Sequence, residues 1–126
     1  MSRVALFSNP ACALHDPGAH HSDHPGRLAA LIDAVRADPA LARILYERVA
    51  PPAGEEDLLR VHDAGHVRRV REDVASLRPG QLLWLDADTA VSAGSWDAAL
   101  AAAGCACFAA EAVLDGSATA AFALSR

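Results

Sequence analysis

The feature that most constrains the fold is the apolar stretch of residues 95–126, SWDAALAAAGCACFAAEAVLDGSATAAFALSR. Its first part predicts one long helix, because Ser95 can serve as N-cap, Asp97 favours the helix dipole in the first turn, and Gly116 suits the C′ position. A set of side chains at spacings of three and four residues predicts the buried face. The members of this predicted face are Trp96, Leu100, Ala103, Cys107, Ala110 and Leu114.

An unbroken apolar run, AAFAL at residues 120–124, follows this helix. Such a run is typical of a strand that is buried on both faces of a parallel sheet. In open α/β sheets, ligands bind beyond the carboxyl ends of the strands. We therefore expect the main part of an active site to lie beyond Arg126.

The rest of the chain predicts a second strand and several helices before residue 95. We expect a strand at residues 3–7, a helix at 25–37 capped by Asp23 or His24, and a helix that restarts at Asp38-Pro39. A helix capped by Asp63 should follow. The remaining expectations are a strand at 48–50, a helical turn at 54–60, and a short strand or extended loop at 81–89.

This order of elements predicts an α/β fold with a parallel sheet. Two or three parallel strands leave long unpaired edges, so we expect the chain to be part of a larger domain. The alternative is a small, mostly helical domain with two incidental strands.

Charge and cysteine content limit the possible partners and compartments. All eleven basic residues of the 126 are Arg, and the net charge is −5, which argues against a nucleic-acid or anionic-membrane binder. Three cysteines, Cys12, Cys105 and Cys107, favour reduced thiols and a cytoplasmic protein over a disulfide scaffold. The longest apolar stretch, around residues 98–110, contains a glycine and is expected to be too short to span a bilayer.

The loop of residues 15–24 is the richest cluster of potential ligands, with His15, Asp16, His20, His21, Asp23 and His24. Zinc accepts histidine, cysteine and carboxylate ligands, and a loop can fold several of them onto one ion. The alternative is a solvated loop in which the imidazoles cap helices or bond the backbone, and without a Cys-x-x-Cys partner this alternative is favoured.

Two further pairs have alternative interpretations. His62 and His66 have the i, i+4 spacing of a metal pair, but the glutamate of H-E-x-x-H is absent, so packing and capping explain them as well. Asp86 and Asp88 could bond a substrate backbone or simply hold a loop. These residues by themselves do not assemble a catalytic site.

Several segments together resemble the zinc-dependent histone deacetylase superfamily, in order along the whole chain. They are LHDPGAHHSDHPGRLAAL, DLLRVHDAGHVRRV, LDADTAVSAGSWDAALAAAG and AVLDGSATAAFALSR. The resemblance implies a partial arginase/deacetylase-like three-layer fold, with residues 1–126 as the N-terminal fragment of a single catalytic domain. It also implies zinc-dependent hydrolysis of acetyl-lysine or another acetylated amine to acetate and a free amine.

The resemblance also implies that the catalytic groups of the family lie outside residues 1–126. In the family, the arginine that corresponds to Arg126 is followed by Pro-Pro-Gly-His-His, whose histidines act in general acid/base catalysis. The zinc ligands and a transition-state tyrosine lie further on. We therefore expect residues 1–126 to be inactive alone.

By position in the family, Arg27 and Asp88 belong to the substrate channel, although Arg27 could instead be a structural arginine that bonds carbonyl groups. A subset of the family holds a structural zinc at positions comparable to His21, His24 and Cys105. Two other functions stay open, a non-catalytic interaction module and a small metal-binding protein that uses the loop of residues 15–24. If the chain folds alone, its uncovered apolar surface predicts self-association.

Overall fold

The computed structural model describes residues 3–126, and its centre is a three-stranded parallel sheet. The strands are β1 (Val4–Ser8), β2 (Leu45–Val49) and β5 (Ala120–Ala123), in the order β2-β1-β5. Val4 is in register with Leu45 on one side and with Ala120 on the other. The predicted α/β class with a parallel sheet is thus confirmed, and the helical alternative is wrong.

The remaining elements lie between these strands in the chain. They are a 3-10 helix (Pro10–Leu14), α1 (Gly26–Ala37), α2 (Pro39–Ile44), α3 (Glu55–Leu58), α4 (Ala64–Ala75), the antiparallel pair β3 (Leu83–Trp84) and β4 (Ala90–Val91), and α5 (Ser95–Leu114).

Local capping signals place several of these helices as predicted. Asp38 accepts hydrogen bonds from two N–H groups at the start of α2, and Asp63 accepts one from the His66 N–H at the start of α4. Helix α1 differs, because Pro25 occupies its N-cap position and neither Asp23 nor His24 is the N-cap residue.

The sheet is covered on both faces because side chains alternate along β1. Ala5 and Phe7 pack with Cys105 of α5 on one face. Leu6 packs with Leu28 of α1 in a second cluster, on the other face of the strand. The layers are therefore α1, sheet and α5.

The buried face of α5 is not the predicted one. Its buried residues are small, and Leu114, a member of the predicted face, is 86% exposed. The spacing of the larger side chains was misleading because small residues let the neighbouring backbone approach closely. The residues that are buried are Ser95, Ala98, Ala101, Gly104, Cys105, Ala109 and Ala112.

Two further details of this region correct the predictions. Gly94 is the N-cap residue and Ser95 is the first helical residue, with its hydroxyl bonded to the Ser92 N–H. Strand β5 is partly buried on one face, at Ala121 and Ala123, and exposed on the other, where Phe122 is 58% exposed. Gly116 has a positive φ of 78°, as expected for a residue that ends a helix in the left-handed region.

Helix α5 has 20 residues and is long and apolar enough to cross a membrane by length and composition alone. The expectation that this stretch is too short is therefore wrong, because the helix extends beyond residues 98–110 at both ends. In this structure its inner face packs on β1, β5 and the 3-10 helix.

Candidate functional site

A polar cluster lies beyond the carboxyl ends of β1 and β5, where ligands bind in open α/β sheets. Three segments meet there: the loop of residues 15–24, the connection from β4 to α5, and Arg126 after β5. The sheet brings these segments together because β1 and β5 are parallel neighbours.

Arg126 is the centre of this cluster, with a side chain only 5% exposed. Its Nε donates to Asp23 Oδ1 at 3.1 Å, and its Nη1 donates to the His15 carbonyl oxygen at 2.6 Å. Its Nη2 lies 2.7 Å from Asp23 Oδ2, at ion-pair distance but without the alignment of a hydrogen bond. This arginine therefore ties the end of β5 to both ends of the loop of residues 15–24.

The hydrogen bond from Arg126 holds the pKa of the Asp23 carboxyl below its ordinary value. Asp23 also makes an ion pair with Arg27 at 3.3 Å. Because it is charged at neutral pH, Asp23 compensates the buried guanidinium.

His15 connects this ion pair to the start of α5. Its Nδ1 lies 2.7 Å from Ser95 Oγ, and its Nε2 lies 3.6 Å from Asp23 Oδ2. Burial, followed by the positive charge of Arg126, lowers the pKa of His15. The imidazole is therefore neutral at pH 7, and Nδ1 can accept a proton from Ser95.

The connection before α5 fixes the serine. Ser95 Oγ accepts a hydrogen bond from the Ser92 N–H at 2.8 Å, and Ser92 Oγ accepts one from the Asp16 N–H at 3.1 Å. The two hydroxyl oxygens are 3.2 Å apart. This network holds the Ser95 oxygen toward His15.

A cavity of about 230 Å³ opens beside this network. Three of its lining residues are polar: His15, Ser95 and Arg126. The others are small and apolar, namely Val70, Val74, Val91, Ala98 and Ala99.

The two residues predicted for the substrate channel lie near this cluster but outside it. The Arg27 side chain is 63% exposed and pairs with Asp23 at the edge of the cluster. Asp88 is exposed, and its backbone oxygen lies 2.9 Å from His21 Nε2. The loop of residues 15–24 therefore contacts the Asp88 loop.

The predicted structural zinc ligands are not brought together. Cys105 is fully buried between α5 and the sheet, and burial raises its pKa to about 11, which disfavours the thiolate that a metal requires. His21 contacts Asp88, and His24 Nδ1 accepts a hydrogen bond from the Gly26 N–H. Within residues 3–126, no three His, Cys, Asp or Glu side chains are arranged to hold a metal. His62 and His66 are therefore not joined by a third ligand among these residues.

Sequence reasoning missed the Asp23, His15 and Ser95 contacts. Ser95 had a strong local interpretation as a helix cap, and Arg126 was noticed only through the family resemblance. These contacts join residues that are far apart in the sequence, and a single sequence gives no local signal for such pairs.

The chain matches known proteins over most of its length. Residues 21–126 match the family profile of the histone deacetylase domain. A histone deacetylase-like amidohydrolase of Pseudomonas aeruginosa is 34% identical over 146 residues, which cover 98% of this chain. An uncharacterised protein of Synechocystis sp. is 31% identical over 98 residues, which cover 76% of this chain.

A solved structure shares the fold. The HD domain of HDA15 superposes on 99% of this chain with a TM-score of 0.81 and 24% sequence identity. The chain spans about a third of the length of these proteins, namely 36% and 31% of the two sequence relatives and 35% of the solved chain.

Proposed function

The chain belongs to the histone deacetylase family, and we propose that it forms the N-terminal part of a zinc-dependent deacetylase. In this proposal the complete protein hydrolyses the amide bond of an acetylated amine to acetate and a free amine. The family match and the amidohydrolase relative support this reaction class. The substrate, an acetylated protein lysine or a small acetylated amine, is part of the proposal.

The observation that carries the proposal is the anchoring of Arg126. Its guanidinium is held by Asp23 and by the His15 carbonyl group, so the backbone at the end of β5 has a fixed position and direction. The resemblance places the catalytic histidine pair directly after this arginine. The role of this chain is then to orient that segment relative to the loop of residues 15–24.

Zinc would supply a Lewis acid that polarises the acetyl carbonyl group. The described residues of this chain do not fit such a site, because they contain no group of three ligating side chains. The proposal therefore assigns the metal ligands to other parts of the protein. We expect residues 1–126 alone to show no deacetylation with added zinc.

Arg27 and Asp88 complete the proposal as residues at the rim of the substrate channel. Both are exposed, and the His21 contact with the Asp88 backbone connects the loop that precedes Arg27 to the loop that holds Asp88. A positive and a negative charge at a rim can steer and orient a polar substrate.

The gene provides the first test. The reading frame beyond Arg126 should encode Pro-Pro-Gly-His-His, and the full product should hydrolyse an acetyl-lysine peptide in a reaction that a chelator abolishes. A stop codon after Arg126, or a full product without chelator-sensitive turnover, would contradict the proposal.

A second test uses Arg126→Lys in the full product. Lysine keeps the charge but cannot bond Asp23 and the His15 carbonyl group at the same time in this planar geometry. We expect kcat to fall more than tenfold, while the Arg36→Lys variant, altered at the exposed ion pair with Glu47, should keep kcat within about threefold.

A further inference from the structure

The contacts among Ser95, His15 and Asp23 have the arrangement of a nucleophile, a base and a group that orients the base. Ser95 Oγ is 2.7 Å from His15 Nδ1, and the opposite ring nitrogen is 3.6 Å from Asp23 Oδ2. Activated serines are recognised by such geometry and not by sequence order. The deacetylase proposal makes no use of Ser95.

We propose that Ser95 is an activated nucleophile, with His15 as its general base, in a metal-independent site that cleaves small esters. This activity is separate from the amide hydrolysis proposed above. Asp23 acts in it as a positioning residue, since it faces His15 and does not reach the serine.

The hydrogen-bond network permits proton transfer from Ser95 to His15. The Ser92 N–H donates to Ser95 Oγ, which leaves the serine hydrogen free to be donated to His15 Nδ1. In the tautomer that accepts this hydrogen, the ring proton is on Nε2, the nitrogen that faces Asp23. In this tautomer His15 is ready to accept the serine proton.

The reaction has two balanced steps. Ser95 Oγ adds to the ester carbonyl carbon while its proton passes to His15 Nδ1. The bond to the leaving alcohol then breaks, and the alcohol takes that proton and leaves an acylated Ser95. A water molecule next attacks the acyl carbon and gives a proton to Nδ1. The bond to Oγ breaks, Oγ regains the proton, and a carboxylic acid is released.

The surroundings supply the other parts of an acyl-transfer site. Ser95 is the first residue of α5, so the N–H groups of Trp96 and Asp97 belong to the first turn, where helix N–H groups lack intrahelical partners and can stabilise an oxyanion. The cavity beside Ser95 is small and mostly apolar. Its size and lining favour short acyl groups such as acetyl over long chains.

The charges that face His15 keep the base neutral. Arg126 and His21 disfavour its protonation, Asp23 and Asp16 favour it, and burial has the largest effect, so that the pKa of His15 lies below 6.5. Acylation should therefore depend on one ionisation below pH 6.5 and be independent of pH from 7 to 8.

The direct test is labelling of the 126-residue chain with an alkyl fluorophosphonate, followed by peptide mass spectrometry. We expect the label on Ser95, in the presence of EDTA, and release of nitrophenol from p-nitrophenyl acetate in preference to p-nitrophenyl octanoate. The His15→Asn variant should lower the labelling rate about 100-fold, as removal of a general base does.

The controls separate a nucleophile from a structural serine. Ser95→Ala should abolish labelling and hydrolysis, whereas Ser22→Ala, altered at an exposed loop serine, should leave both unchanged. If Ser95→Ala fails to fold, as judged by circular dichroism, the mapped label on the wild-type chain decides instead. Absence of label on Ser95, label spread equally over other serines, or a pH profile without an ionisation below 6.5 would each overturn the proposal. A chelator-sensitive deacetylase that carries no label on Ser95 would leave the deacetylase proposal intact.

Discussion

The two faces of α5 differ in a way that reverses the usual relation between side-chain size and burial. The inner face is made of glycine, alanine, serine and cysteine, and it is buried against the sheet and the loop after β2. The outer face has Phe108, Val113 and Leu114, which are exposed. Burial in this helix therefore follows how closely backbones approach, and not how much apolar area each side chain offers.

Gly104 shows the cause. The Ala53 N–H donates to the Leu100 carbonyl oxygen at 2.8 Å, so the loop after β2 lies directly on the helix backbone. A Cβ atom at Gly104 would collide with the Pro51 carbonyl oxygen. Only a residue without a side chain allows this contact.

The largest expected effect therefore comes from Gly104→Val. The added side chain must displace the loop after β2, and we expect a loss of about 3 kcal/mol or more in the free energy of unfolding. Ala106→Val, at an exposed position of the same helix, should change it by less than about 1 kcal/mol. Urea denaturation of both variants measures the difference, and equal losses would refute the distinction between the faces.

The second largest effect is expected from Asp23→Asn. This variant tests whether an ion pair stabilises the N-terminal end of the inner face of α5, where Ser95 contacts His15. Asp23→Asn leaves the buried Arg126 without its counter-charge, and we expect a loss of about 2 kcal/mol at pH 7. The pKa of Asp23 is lower in the folded state, so this contribution is complete above the unfolded value near 3.8 and disappears as the pH falls through the folded pKa.

The matched control is Glu47→Gln, which breaks the exposed ion pair with Arg36. Its side chains are 40% and 61% exposed, so we expect a loss below about 1 kcal/mol. Denaturation curves at pH 7 and pH 3 distinguish the two ion pairs. A loss for Asp23→Asn that is equally large at both pH values would show that packing, and not charge, is responsible.

The two cysteines of α5 give a smaller and more direct comparison. Cys105 is buried and Cys107 is exposed. Cys105→Ser puts a hydroxyl group in an apolar cluster and should cost about 1 kcal/mol, whereas Cys107→Ser should be nearly neutral. With a pKa of about 11, Cys105 should also resist iodoacetamide at pH 8 in the native chain, and rapid alkylation of it would contradict this burial.

The smallest effect on folding is expected on the outer face. Leu114→Ser should change the stability of the isolated fold by less than about 0.5 kcal/mol, because this side chain is 86% exposed. It should nevertheless reduce self-association, for which the exposed Leu114, Val113 and Phe122 are the proposed contacts. Light scattering measures the self-association of both chains. A monodisperse wild-type monomer would contradict the proposed self-association.

The sequence could predict what local chemistry determines. The helix that restarts at Asp38-Pro39, the cap at Asp63, the first strand (expected at residues 3–7 and found at Val4–Ser8) and the turn at Gly116 all depend on neighbours within a few residues. The parallel sheet followed from the two apolar strands and the helices between them.

The features that the sequence could not predict depend on contacts between residues that are distant in the chain. The inner face of α5 is set by the loop after β2, and Phe122 is exposed although it is in register with the buried Leu6 of β1. The ion pair of Asp23 and Arg126 joins two residues that are 103 positions apart in the sequence. For such a pair, each residue alone looks like an ordinary surface charge.

The position of β1 between its two partners has a consequence for the order of folding. Its first residue pairs with Leu45 and with Ala120, so one edge can form early while the other waits until residues 120–123 have been synthesised. At a synthesis rate of about 5–20 residues per second, the second edge stays open for roughly 4–15 s after the first partner has emerged. During that interval the backbone of β1 is free to pair with another strand, and a chaperone that covers it would raise the yield of native protein.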